Sequence, residues 1–244
     1  MGKDEFRKNL KELNIELNDV QIQAFDEYYR ILVEWNEFMN LTAITEYDEV
    51  LLKHYIDSLA IKQSIDDESK WSLNKKIKVI DIGTGAGFPG IPLKIVFDNL
   101  DIVLLDSMNK KVKFLNEVID KLNLSNMKAI HGRAEDYAKD PNYRESFDLC
   151  VSRAVSNLAT LSEYCLPYVK VGGAFISYKS GEIDAELKAS EKAIKMLGGN
   201  IVKVEKMTLP GSTIERSFVI IEKVKNTIGI YPRKSGLPAK DPLK

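Results

Sequence analysis

The run VIDIGTGAGFPGIPL, Val79 to Leu93, constrains the fold more than any other stretch of the chain. An apolar segment ends on Asp81, breaks into alternate glycines, and resumes as an apolar run after Pro89. This is the pattern of a strand, a tight turn and a helix start, with a backbone that a ligand can approach closely. From Ile77 onward the alternation repeats. "IKVIDIG", "DIVLLDS" and "MKAIHG" read as strands, with helices over Ile91 to Phe97 and Lys110 to Leu122 between them. "FDLCVSRA" is a fourth strand and "GGAFISYK" a fifth, joined by a helix around Leu158 to Val169, and a further helix is expected near Ile183 to Leu197. The last strands, "NIVKVEKMTL" and "RSFVIIEKV", are separated only by "PGSTIE", too short for a helical crossover, so they pair as an antiparallel hairpin. The expectation is an α/β chain: a Rossmann-like, seven-stranded, mostly parallel sheet with helices on both faces and a hairpin at one edge.

The first seventy residues read differently. Ile22, Phe25, Tyr29, Leu32, Val33 and Met39 recur at helical spacing, with Asn18 or Asp19 as N-cap, and "EVLLKHYIDSLAIK" is a second helix. The polar stretch "DDESK", Asp66 to Lys70, marks a boundary, giving a helical extension over 1–70 packed on a sheet domain over 71–244. Charge divides along the same line. Residues 1–70 carry 16 acidic against 8 basic side chains, whereas residues 223–244 carry six basic and one acidic. A basic tail suits a phosphate backbone or is a solvated surface; the charge of the acidic extension argues against its being the main RNA clamp. The two cysteines, Cys150 and Cys165, lie in apolar segments, too few for a disulfide framework or a zinc cluster. With no membrane span or signal-like run, the chain is expected to be cytoplasmic and monomeric, with no membrane partner.

The glycine loop is not a P-loop, since Gly90 is followed by Ile91, and it fails the dinucleotide fingerprint, since Phe88 stands where the third glycine belongs. What it spells is D-x-G-x-G-x-G: Asp81, Gly83, Gly85, Gly87. A carboxylate at Asp81 repels a pyrophosphate but suits the ammonium of S-adenosylmethionine. Asp106 ends the next strand, 21 residues beyond Gly85, where a carboxylate accepts from both ribose hydroxyls. Ser107 and Met108 follow it, and Ala134 and Glu135 in "HGRAEDY" stand where adenine is met. A lone glycine turn is as often structural as functional, and strand-end carboxylates occur for local electrostatic reasons. Three such features at the ends of successive strands favour an S-adenosylmethionine site, and the final hairpin resembles the class I methyltransferase fold.

The fourth strand ends "VSRAVSN", without the Asn/Asp-Pro-Pro-aromatic motif of exocyclic amine methylation, and neither cysteine suits a covalent C5 mechanism. An acceptor with a free lone pair, such as guanine N7, needs neither base nor nucleophile, and catalysis is then chiefly orientation. Arg153, at the strand end, is the candidate catalytic residue and a cofactor contact; its alternative is a structural ion pair. Phe88 is a cofactor wall or a core residue. Lys179, Arg216, Arg233 and Lys234 are candidate RNA contacts. His54 and His131 lack partners at metal-ligand spacing, so no metal is expected, and His54 packs or caps within the helices. Trp35, Asn36, Asn40 and Thr42 are expected to dock the extension onto the sheet, with acceptor binding as the second role.

"WNEFMNLTAIT", "HYIDSL", "DIGTGAGFPGIPL", "GRAED" and "VSRAV" together resemble the small-subunit ribosomal RNA guanine-N7 methyltransferase G family, also called glucose-inhibited division protein B. The resemblance runs from about Asn18 to the terminal "YPRKSGLPAKDPL". It implies methyl transfer from S-adenosylmethionine to N7 of a guanine in the 530 loop of 16S rRNA, with that RNA, the small subunit or its precursor as partner. It also implies cofactor contacts at Gly83, Phe88, Asp106, Ala134, Glu135 and Arg153. The alternatives are a methyltransferase acting on a protein or small molecule, and a non-catalytic adenosine-nucleotide-binding module.

Overall fold

The computed structural model describes every residue except 1, 66, 154, 155 and 244. The boundary Asp66 and the Ala154-Val155 part of the "VSRAV" motif therefore lie outside the described residues. Seven strands form one sheet: β1 (Lys78–Ile82), β2 (Asp101–Asp106), β3 (Met127–His131), β4 (Phe147–Arg153), β5 (Val169–Ser180), β6 (Gly199–Thr208) and β7 (Glu215–Lys223). Their spatial order is β3-β2-β1-β4-β5-β7-β6, parallel from β3 through β5 and antiparallel at β7 and β6. The hairpin is as expected. β2, DIVLLD, is buried over all but its first residue, as a strand covered on both faces must be.

Alternate residues feed two cores. Val79, Ile102, Leu104, Val151, Ile176 and Ile220 point to one face, and Ile80, Val103, Leu105, Cys150, Phe175 and Val219 to the other. The first face is covered by the N-terminal helices α1 (Lys3–Glu12) and α2 (Asp19–Met39), with α5 (Gly90–Val96) and α6 (Asn109–Lys121). The second is covered by α8 (Leu158–Cys165), α9 (Asp184–Met196) and the chain end. No helix among the described residues is long and apolar enough to cross a membrane.

Helix α2 is capped by Asn18 in a reciprocal box with Gln21. Its buried stripe is Ile22, Phe25, Tyr28, Ile31, Leu32 and Met39; Tyr29 and Val33, expected inside, flank it half-buried. The correction is angular, because Tyr28 rather than Tyr29 falls on the line through Phe25 and Ile31. Tyr28 belongs to an aromatic cluster with Phe6, Phe25, Tyr55 and Phe88, centroids 4.7–6.3 Å apart. Such pairs add about 0.5–1.5 kcal/mol each beyond area burial. The second expected helix is a continuous helical run of four pieces: α3 (Tyr47–Val50), a π-helical turn (Leu51–Ile56), α4 (Asp57–Leu59) and a 3-10 turn (Ala60–Ser64).

The helix expected to reach Val169 stops at Cys165. Pro167 lacks the N–H that would continue it, a 3-10 turn spans Leu166–Tyr168, and Val169 already opens β5. Two short helices, α7 (Ala134–Tyr137) and α10 (Leu237–Lys240), were not anticipated. The chain end is stitched down: Arg144 donates to the carbonyls of Thr227, Ile228 and Tyr231, and Thr160 Oγ1 to that of Pro238.

Candidate active site

The order of strands reverses between β1 and β4, and there, beyond their carboxyl ends, an open α/β sheet holds its ligands. Two chambers occupy that place. They share His54 and Arg153 as lining residues.

The first, about 380 Å³, is formed around the β1–α5 loop. Gly83, Gly85 and Gly87 have φ of +70°, +64° and +95°, a region that strains any residue with a Cβ. A Cβ on Gly85 would meet nothing nearer than Lys111 Nζ at 3.9 Å, so the loop's upper face is open to a ligand. At Gly87 a Cβ would lie 2.4 Å from Ile91 Cδ1 and 2.8 Å from Tyr28 Oη, so here the glycine lets the extension close against the loop. Tyr28 Oη donates to the Ala86 carbonyl, and Gln21 Nε2 to the carbonyls of Ile95 and Val96 at the end of α5. Asp106 accepts from Gly85 N at 2.9 Å and Met108 N at 2.8 Å, which fixes its carboxylate beside the loop while each oxygen keeps a further lone pair.

Asp81 lies beneath the loop, fully buried. Its Oδ2 accepts from Thr84 Oγ1 at 2.7 Å and Gly90 N at 2.9 Å, while Oδ1 has no partner among the described residues. Burial pushes this carboxyl up to about 7 against the lowering pull of those bonds and of Arg153. Gly83, Gly85, Phe88, Asp106, Ser107, Met108 and Arg153 line the chamber; Asp81, Gly87, Ala134 and Glu135 do not. Glu135 is buried and accepts the Gly236 N–H at 2.8 Å, and Ala134 offers its carbonyl to Tyr168 Oη. Both belong to the contact between α7 and its neighbours.

The second chamber is a cleft of about 670 Å³ lined by Lys53, Asp57, Lys179, Glu186 and Arg216, with Tyr178 and Ser180 from β5. Lys179 Nζ donates to the Ser156 carbonyl at 2.6 Å and to Glu186 at 2.7 Å. Arg216 reaches Asp57 through Nε at 2.7 Å and Nη2 at 3.3 Å. Arg233 lies elsewhere: its main-chain N, Nε and Nη2 all donate to the fully buried Glu163 on α8. Lys234 is exposed on the same tail, away from both chambers.

At the junction, Arg153 Nη1 donates to Asp57 Oδ2 at 2.9 Å and the Lys53 carbonyl at 3.0 Å, and Nη2 to His54 Nδ1 at 3.2 Å. Its guanidinium lies over Phe88, 5.1 Å from the ring centroid, and His54 stacks on Phe88 at 4.3 Å and 16°. Phe88 is therefore both wall and core. Because Arg153 can only donate, His54 Nδ1 is the acceptor, and the network assigns the ring proton to Nε2, which donates to Thr42 Oγ1 at 2.9 Å. Burial first, then Arg153, lowers His54 to about 3, so the ring is neutral. His54, expected to pack or cap within the helices, and Thr42, expected to dock the extension or else bind the acceptor, both line the first chamber. Asp57, Lys111 and Glu186 were not singled out at all. The quoted HYIDSL motif holds His54 and Asp57 one helical turn apart, the signal that was available.

Residues 21–218 match the family model described as GidB, rRNA small subunit methyltransferase G. The chain belongs to this family. It is 49% identical over 238 residues to the ribosomal RNA small subunit methyltransferase G of Lachnoclostridium phytofermentans, covering 98% of this chain and 96% of that one. To the protein of the same name from Brevibacillus brevis it is 48% identical over the full length of both. Among solved structures, a SAM dependent methyltransferase from Aquifex aeolicus superposes with a TM-score of 0.53 at 17% identity, over 73% of this chain and 94% of that one. M. jannaschii TYW2 in complex with AdoMet gives 0.50 at 14%, over 62% and 71%. These two likenesses bear on the fold, the seven-stranded methyltransferase sheet.

Proposed function

We propose that the protein transfers a methyl group from S-adenosyl-L-methionine to N7 of a guanine in the 530 loop of 16S ribosomal RNA, acting as a cytoplasmic monomer. Relatives at about 50% identity over nearly the whole chain carry the rRNA methyltransferase name. The donor fits the glycine-loop chamber on two observations: open space above Gly85, and the Asp106 carboxylate held at its side with lone pairs to spare. When bound, S-adenosylmethionine supplies a methyl group on a cationic sulfur.

The observation that carries the choice of acceptor is that no base at the junction is free among the described residues. His54 is neutral at physiological pH, with Nδ1 engaged by Arg153 and Nε2 by Thr42. Both Asp57 oxygens are taken by arginines, and Glu186, which lines the second chamber only, holds Lys179 and the Leu158 N–H through Oε1. An amine or hydroxyl acceptor must shed a proton, whereas guanine N7 already presents a lone pair, so only placement is required. Arg153 keeps its Nε–H and one Nη2–H without an acceptor among the described residues. A hydrogen bond to N7 would occupy the lone pair that attacks. These donors therefore serve guanine O6 or the donor's carboxylate, fixing the two reactants against each other.

Transfer of labelled methyl groups to small subunits, naked 16S rRNA and bulk protein tests the proposal. Label is expected as N7-methylguanine in the RNA; label confined to protein overturns it.

A further inference from the structure

Asp57 is 3% exposed and sits on α4, outside the sheet. Its one carboxylate serves two guanidiniums: Arg153 from the end of β4 and Arg216 from the start of β7. Those strands are not neighbours, because β5 lies between them. A carboxylate at the wall of an RNA cleft repels phosphates, so on charge alone it weakens binding. It also prevents two like charges from splaying apart, and holds two long side chains that otherwise sample many rotamers.

On the reading above, we infer that Asp57 is a positioning residue for methyl transfer: it locks Arg153 at the junction to Arg216 in the second cleft, which would receive the RNA, so that both meet the reactants as one rigid unit. Three features support it. The Asp57–Arg153 pair is nearly dry, with side-chain exposures of 4% and 13%. Arg153 is held from three sides, by Asp57, His54 and the Lys53 carbonyl, two of them within the π-helical turn that leads into Asp57. Such turns are frequent at functional sites. Arg216 is half free: Nε and Nη2 hold Asp57, while Nη1 bonds only the Glu215 carbonyl, leaving a face toward the cleft. The unit keeps one uncompensated positive charge, which suits a phosphate beside the target base.

The test sets positioning against charge. Asp57→Asn removes a negative charge from an RNA site, so a purely electrostatic role predicts tighter RNA binding and undiminished turnover. Positioning predicts that kcat/KM for RNA falls by about 100-fold, the cost of a misplacement near 1 Å, with the donor still bound in calorimetry. In the free protein, the Nε–H NMR signals of Arg153 and Arg216 are expected to broaden in the variant, while that of Arg233, held by Glu163, stays unchanged as an internal control. Adding Arg216→Gln to Asp57→Asn is expected to cost less than the product of the single losses. Unmoved arginine signals, tighter RNA binding at full turnover, or a double loss equal to that product would overturn the inference. Asp57→Glu covers the case in which Asp57→Asn does not fold. It keeps the charge but displaces the pair by a methylene, so turnover must fall at near-normal thermal stability; full turnover overturns the inference. If the wild-type protein labels no RNA, the functional reading fails, yet the arginine signals still decide whether Asp57 holds the pair.

Discussion

The two chambers that meet at Arg153 are built from different material. The glycine-loop chamber, proposed for the donor, is mainly backbone: positive-φ glycines, main-chain N–H groups on Asp106, and a loop held by Tyr28. The second cleft, proposed for the acceptor, is mainly side chains, drawn from the π-helical turn and α4, the end of β4, β5, β7 and α9. A backbone site tolerates no added atom but needs little charge. A side-chain site tolerates changes of shape and fails when an ion pair is lost. The difference says which kind of substitution should damage which half.

The largest effect is expected where the halves join. Arg153→Ala removes a group that lines both, and methyl transfer should drop about 1,000-fold, with circular dichroism unchanged; near-normal turnover would break the picture of a shared junction. Next comes Arg233→Gln. Opposite the fully buried Glu163 it should cost about 3 kcal/mol in chemical denaturation. The KM for RNA should not move, because Arg233 faces neither chamber; a raised KM with full stability would return the tail to the RNA surface. Gly87→Ala is expected to cost about 2 kcal/mol, from the left-handed φ and the crowding by Ile91 and Tyr28. It should weaken donor binding more than RNA binding, and the reverse would invert the assignment of the chambers.

A further effect is a matter of pH. Asp81 titrates near 7 when folded but near the ordinary carboxylate value when unfolded, so the folded state binds the extra proton between about 3.8 and 7. Its contribution to stability therefore declines as pH rises through that window. Asp81→Asn should gain on the wild type in melting temperature from pH 4 to 7 and hold a constant difference above. A difference that does not change with pH would show that Asp81 is ionised throughout.

The same contrast explains what could be read from the sequence. Local patterns show themselves: the strand–glycine–helix run, the hairpin forced by a short link, and the Asn18 cap are each contained in a few consecutive residues. Gly83, Gly85 and Asp106 could be picked out because their spacing reflects one turn and one strand end. The cleft is not local. Asp57 meets Arg216 across 159 positions, and only the sheet order puts β7 beside β5. Arg216 and Lys179 could be named as cations, but nothing in the sequence shows that each is already paired with a carboxylate. Arg233 reads in the sequence as a candidate RNA contact because its partner, Glu163, lies 70 residues away inside an apolar helix. A one-residue error in the α2 stripe, Tyr29 for Tyr28, concealed the contact that ties the extension to the glycine loop.

The hairpin has a consequence in time as well as space. β7 is the last strand to be synthesised, yet it lies inside the sheet, so β6 waits unpaired until residues beyond 215 emerge. Arg216 arrives with it, and the stitches made by Arg144, Glu163 and Glu135 close only on residues 227–238. A nascent or prematurely ended chain can have its glycine loop in place and still lack a cleft.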